Sequence, residues 1–197
     1  MIELEKVASF RSGGTPSKEV DAYWQGSIPW VSAKDLKADL ISDAQLHISE
    51  RAVEETATQI APVGSILVLV RGMGLANGVP FGEVLSPCAF NQDLKAIVPD
   101  TDVILPRFMA HALRQQSAYF ARAMETAAHG TLKINSDTLR SAKIPAPDLE
   151  TQASIVAEIE AEQALVNGNR DLIARFEKKI DAAIARVWSE VKAEAAA

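Results

Sequence analysis

The sequence predicts an α+β protein: a mixed α/β domain followed by a long C-terminal coiled-coil helix. Three observations carry that prediction. All nine prolines and nine of the ten glycines fall in residues 1–150. Residues 151–197 contain one glycine, Gly168, and no proline. Within that second stretch, apolar residues recur in steps of threes, fours and sevens, the spacing of a coiled-coil seam. The expected division is therefore a domain over 1–150 and a helix over 151–197.

In the first part, "SERAVEET" (49–56) reads as a short helix with Ser49 as N-cap. "GSILVLVRG" (64–72) is apolar and rich in β-branched residues and leucine, and reads as a buried strand. "DLKAIVP" (93–99) reads as a shorter strand ending at Pro99. "LPRFMAHALRQQSAYFARAMETAA" (105–128) reads as an amphipathic helix, with Pro106 in its first turn and Phe108, Met109, Leu113 and Phe120 on one face. Near the start, "SGGTPSKEVDAYWQGSIPWVSAKDL" (12–36) mixes turn formers with two of the three tryptophans. Trp24 and Trp30 are expected to pack there as anchors.

The helix begins after "KIPAPDLETQ", where Pro145 and Pro147 disfavour helix and Asp148 or Thr151 can cap its first turn. Its seam runs through Ile155, Ile159, Val166, Ile173, Phe176, Ile180, Ala183 and Val187, with Glu162 and Asn169 on the same stripe. A helix of this kind spans roughly 60 Å at about 1.5 Å per residue and cannot bury its stripe against itself. Folding back on the first domain, breaking at "NGN" (167–169) into a hairpin, and pairing with a helix of a partner chain are the three solutions.

Composition narrows the function. With 48% hydrophobic and 23% charged residues the chain can bury a core. The N-terminus "MIELEKVASF" is acidic where a signal peptide needs positive charge, so a soluble, cytoplasmic protein is expected. The net charge of −6 argues against gripping nucleic acid by bulk electrostatics alone. A DNA-binding chain of this composition must concentrate its cations on one surface, or borrow charge from another subunit.

Catalytic motifs are missing. "RGMGLANG" (71–78) comes after a strand but lacks strict G-x-G-x-x-G spacing, and Pro80 and Gly82 forbid the helix that a dinucleotide fold requires. It reads as a glycine-rich turn with Arg71 at its mouth. There is no P-loop and no G-x-S-x-G elbow. Cys88, the only cysteine, reads as a small buried core residue. His47, His111 and His129 show no metal-ligand spacing, and His129 reads as a helix C-terminal cap.

Polar, turn-rich stretches remain: "RSGGTPSK", "SAKDL", "RGMGLANG", "FNQDLK" and "HGTLKIN". Arg, Lys, Asn and Gln side chains can read base edges, while Ser, Thr and backbone N–H groups hold phosphates. On chemistry alone the candidate DNA-binding residues are Arg11, Thr15, Ser17, Lys18, Lys34, Arg71, Asn77, Asn91, Gln92 and Lys133. No residue is nominated as catalytic or as a metal ligand.

Read together, three passages resemble the specificity subunit of Type I restriction–modification systems. They are "SGGTPSKEVDAYWQGSIPWVSAKDL", "FNQDLKAI" and "HGTLKINSDTLRSAKIPAPDLETQASIVAEIE". The last is the most specific, a Gly-Thr segment and then a passage of the form iPxPxxxxQ before the long helix. Thr151 stands where the family pattern calls for Glu, which removes a capping carboxylate but keeps a cap. The resemblance implies a target recognition domain followed by one conserved helix, half of the usual two-domain subunit. It further implies that two copies pair antiparallel through their helices as a homodimer reading a gapped, symmetric double-stranded DNA site. It implies no catalysis and no cofactor in this chain. S-adenosylmethionine would belong to a partner modification (methyltransferase) subunit that methylates adenine, with a motor-nuclease subunit as a further partner. A non-DNA coiled-coil adaptor and an inactive recognition-domain cassette are the competing readings.

Overall fold

The computed structural model describes residues 1–126 and 130–194, without the side chains of Val187 and residues 189–194. In chain order the strands and helices are β1 (Ile2–Glu3), β2 (Ala8–Ser12), β3 (Ile28–Val31), β4 (Leu40–Ile41), β5 (Leu46–Ile48), α1 (Glu50–Glu55), β6 (Ile60–Ala61), β7 (Ile66–Leu69), β8 (Phe81–Val84), β9 (Cys88–Phe90) and β10 (Leu94–Pro99). They continue with α2 (Pro106–Gln115), α3 (Ser117–Arg122), β11 (Glu125–Thr126), β12 (Leu132–Lys133), α4 (Ser136–Ser141), β13 (Lys143–Ile144) and α5 (Leu149–Glu194). The chain divides into a head, Met1–Ala153, and a second unit from Ser154 onward.

Two mixed sheets build the head. One has the order β2-β10-β7-β8-β4, the other β5-β3-β9-β6. Strand β7 lies between β10 and β8 with both edges paired, and it is buried at all four positions, so both faces are covered. That explains why its sequence is a continuous apolar run and does not alternate. Strand β10 pairs with β2 on its other side, setting Lys95 opposite Ser12 and Ala96 opposite Arg11. Helix α1 is capped as expected, the Ser49 hydroxyl accepting from the Ala52 N–H.

The tryptophans do anchor the N-terminal loop. Their rings meet edge to face at 5.2 Å and 81°, a geometry worth about 0.5–1.5 kcal/mol beyond burial. Each indole N–H also holds backbone: Trp30 donates to Gly14 O and Trp24 to Ser17 O, both at 3.0 Å. Trp30 packs with Ile48, Ala52 and Ala89 in the core under the second sheet. The neighbouring glycine is there for space. A Cβ on Gly26 would stand 2.1 Å from Ile48 O.

Two sequence expectations change. The helix expected over 105–128 is two helices that end at Arg122, and Glu125–Thr126 instead form a strand paired with Leu132–Lys133. The chain leaves the α-helical geometry at Gln116 (φ −86°, ψ 8°) and again at Ala123 (φ −91°, ψ 1°). Apolar periodicity did not register these breaks, because Phe120 stays in phase and is fully buried against Phe81. His129, expected as a cap, lies outside the described residues. The hairpin at "NGN" is also absent, since α5 runs unbroken through 167–169.

The start of α5 is built by Asp148, whose carboxylate accepts from the Thr151 N–H at 2.8 Å and the Thr151 hydroxyl at 3.0 Å. Thr151 thus serves the cap as its donor. These bonds hold the Asp148 carboxyl below its ordinary value. Gln152 is fully buried, and both ends of its amide are bonded. Its amide nitrogen donates to Val103 O (2.9 Å) and Pro147 O (2.7 Å), and its oxygen accepts from Leu105 N (2.8 Å).

The second unit is one helical stretch of α5. Among its seam positions Ile155, Val166, Ile173, Phe176 and Ile180 are exposed, and Ile159 is half-buried. Val187 lies outside the described side chains. Leu165, Leu172, Ile184 and Trp188 are exposed as well, so the apolar stripe is wider than the seam read from the sequence. No helix among the described residues is long and apolar enough to cross a membrane.

Candidate nucleic-acid interface

Three of the sequence candidates meet in one place. Arg71, Gln92 and Lys133 line a polar cleft of about 290 Å³ with Lys95, Asn135 and Ser136. The fold assembles it from three separate stretches. Arg71 lies just beyond β7, Gln92 and Lys95 come from the β9–β10 connection and β10, and Lys133 lies on β12. A β-bridge joins Arg71 to Lys133 directly, and Gly72 N donates to Leu132 O at 3.0 Å. Gly72, with φ +133°, allows the chain to turn away at this point.

A fourth candidate reaches the rim through a side chain. The Thr15 hydroxyl donates to the Gln92 side-chain oxygen. Gln92 is exposed, and its amide nitrogen makes no hydrogen bond among the described residues. The loop bearing Thr15 lies close to the Gln92 loop because Gly14 N donates to Phe90 O at 2.9 Å. Gly13 permits this approach, since a Cβ there would fall 2.2 Å from Asn91 O.

The remaining candidates lie elsewhere. Asn77 ends a 3-10 turn and lines a larger cavity of about 700 Å³ with Lys37, Arg114 and an apolar floor that includes Leu36, Leu69 and Val79. Lys34 borders a shallow depression with Asp35, Lys37 and Asp43. Ser17 and Lys18 are exposed on the loop that Trp24 holds. Arg11 donates to Ile60 O at 2.8 Å and thereby ties β2 to the second sheet. Asn91 is buried, its amide nitrogen 3.4 Å from Asp93, so it is not presented to a ligand here.

Lys95 was not nominated from the sequence. It sits in the run "DLKAIV", where it reads as a polar interruption of a strand. Only the pairing of β10 between β2 and β7 turns it into the cleft. Its ammonium donates to Ser12 Oγ at 2.9 Å, and burial, together with the lesser effect of the nearby Arg140 charge, pushes its pKa below the ordinary lysine value. Lys133 is paired with Glu125 at 3.0 Å. Among the described residues, Arg71 and Lys95 have no carboxylate partner. The cleft therefore carries excess positive charge on an acidic chain.

Cys88 is buried, and burial pushes its thiol up to about 12, far from the thiolate that chemistry would need. Fold and site define a head with a basic cleft and a helix with an exposed apolar stripe.

Comparison with known proteins identifies its kin. Residues 1–173 match the family described as Type I restriction modification DNA specificity domain. The chain is 32% identical over 165 residues to the Type I restriction enzyme EcoR124I/EcoR124II specificity subunit of Escherichia coli, covering 83% of this chain and 41% of that protein. It is 27% identical over 161 residues to the MjaIX specificity subunit of Methanocaldococcus jannaschii, covering 78% and 35%. Its fold matches a chain from a structure concerning complex assembly and conformational transition of the type I R-M system, with TM-score 0.71, 22% identity and 90% of this chain and 41% of that chain covered. The HsdS subunit from Thermoanaerobacter tengcongensis matches with TM-score 0.63 and 19% identity, over 85% and 37%. The chain belongs to the Type I restriction modification DNA specificity domain family. It spans less than half the length of the curated relatives it matches.

Proposed function

We propose that the chain is the sequence-reading subunit of a Type I restriction–modification assembly, with one recognition domain and one pairing helix. It binds double-stranded DNA through the head and is itself non-catalytic. A modification subunit carrying S-adenosylmethionine performs the methylation in the cytoplasm, and a motor-nuclease subunit is a further partner. The observation that carries this reading is the joining of Arg71, Gln92 and Lys133, from separate stretches, in one basic cleft.

The helix supports pairing of two copies. Seam positions from Ile155 to Val187 alternate by four and three throughout. In an antiparallel homodimer with every layer overlapped, Val166 of one copy faces Phe176 of the other, and Ile159 faces Ala183. Closed two-fold pairing of this kind would set two identical heads on two half-sites of a gapped palindrome. An adaptor that dispenses with DNA would need the seam but not the cleft.

Mapping of adenine methylation across the genome tests the proposal, in a host carrying this gene beside its modification subunit and in the same host without it. One gapped palindrome losing methylation on deletion is the expected result. An asymmetric motif would replace the self-pair with a different second half. No change while both proteins are expressed would overturn sequence recognition.

A further inference from the structure

We propose that the cleft beneath Arg71 seats one phosphate of the DNA backbone, with Lys95 as its central cation. This rests on the DNA-reading function above and assigns a role within it to a residue that chemistry and sequence alone did not nominate.

Lys95 is held in place. It projects from β10, a strand paired on both edges, opposite Ser12. Its bond to Ser12 Oγ uses one of three ammonium donors and leaves two for a ligand. The second cation, Arg71, stands at the mouth on the bridge to Lys133. Arg140, stacked 5.5 Å over the Phe10 ring, adds positive charge to the same neighbourhood.

A half-buried ammonium beside another cation is unfavourable unless an anion joins them. Burial and Arg140 both disfavour the charged form of Lys95. A residue kept there against that cost fits a ligand that arrives with negative charge. The lining fits a phosphate better than a base. It is polar, and it offers point-charge and hydroxyl donors but no exposed aromatic face. Gln92, exposed on the same cleft and bonded at its side-chain oxygen by Thr15, has an amide to offer a base edge next to that phosphate. The cleft would thus fix register through Lys95 and read sequence through Gln92.

The test uses the full chain assembled with its modification subunit. Binding is measured across a salt series on a duplex carrying the methylation-mapped site and on a scrambled duplex. Lys95→Met should weaken both by a similar factor, and should reduce the slope of log affinity against log salt by about 0.9 per copy of the chain. Lys95→Arg should restore both. The thermal midpoint of Lys95→Met should equal or exceed that of the unsubstituted chain, because a disfavoured charge has been removed. Ser12→Ala keeps the charge and should leave the slope unchanged. An unchanged slope in Lys95→Met would overturn the proposal. So would a loss confined to the mapped duplex, which would make Lys95 a base reader, or a lowered midpoint, which would make it structural. Failure of the unsubstituted assembly to discriminate the two duplexes would sink the functional reading itself.

Discussion

The head and the helix treat apolar side chains in opposite ways. In the head, Ile48, Ile66, Leu67, Leu94 and Ile97 are completely buried. In the helix, Ile173, Phe176, Ile180 and Trp188 are each more than half exposed. Both regions carry apolar side chains of the same types, so apolar content by itself does not separate them. A sheet meets its own neighbours within one chain, whereas a lone helix has no second surface to offer its stripe. The head encodes its own fold, and the helix leaves an apolar stripe uncovered.

The most severe way to break that contrast is to charge the seam. Ile173→Glu with Phe176→Glu should convert a two-chain particle to a single chain in analytical ultracentrifugation. Burying each such side chain contributes about 1.5–3 kcal/mol, so losing four per dimer removes at least about 6 kcal/mol and weakens pairing by more than about ten-thousand-fold. The head should keep its melting temperature. A register test sharpens the same point. Copies carrying Val166→Cys should form a disulfide with copies carrying Phe176→Cys, and neither should cross-link with itself. A parallel pair would give the reverse. Cys88 is buried and will not interfere.

Inside the head, Gln152 matters most among polar groups. Gln152→Leu orphans Val103 O, Pro147 O and Leu105 N, at about 1–3 kcal/mol for each buried group left unsatisfied. Thermal or urea unfolding should show a marked loss, while the helix seam still pairs. Gly13→Ala comes next. Its new Cβ would press on Asn91 O, and overpacking of this kind costs about 1–3 kcal/mol. Because Gly13 sets the Thr15–Gln92 contact, DNA binding should fall with stability.

The smallest effect is acidic. The Asp148 carboxyl is held below its ordinary 3.8 by the Thr151 bonds. Its contribution to the start of α5 is fully present above that ordinary value and fades as pH falls through the lowered folded value. Asp148→Asn should remove this pH-dependent part, read as a flatter melting profile between about pH 5 and pH 2.

Much of this was legible in the sequence. Strands β7 and β10, the Ser49 cap and the long helix came from local pattern, since each depends on residues a few positions apart. The apolar stripe of the helix was visible because a heptad repeats within one element. The tryptophan anchors were foreseeable in kind, because two indoles among turn formers have few other uses. The ends of α2 and α3 were not. After α3 the polypeptide leaves helix and β11 pairs with β12, and β12 is in turn held by the Arg71–Lys133 bridge and the Gly72 N–Leu132 O bond, contacts between distant segments that helical periodicity does not carry.

The site divides along the same line. The sequence by itself determined which side chains were available: Arg71, Gln92 and Lys133 stood in polar turns, where chemistry alone nominated them. Only the tertiary structure decided which of these meet. It placed the three together with Lys95, spent Arg11 on Ile60 O, and buried Asn91. Local sequence fixes the donors and acceptors of a residue. Whether they remain free for a ligand depends on what the rest of the chain folds against them.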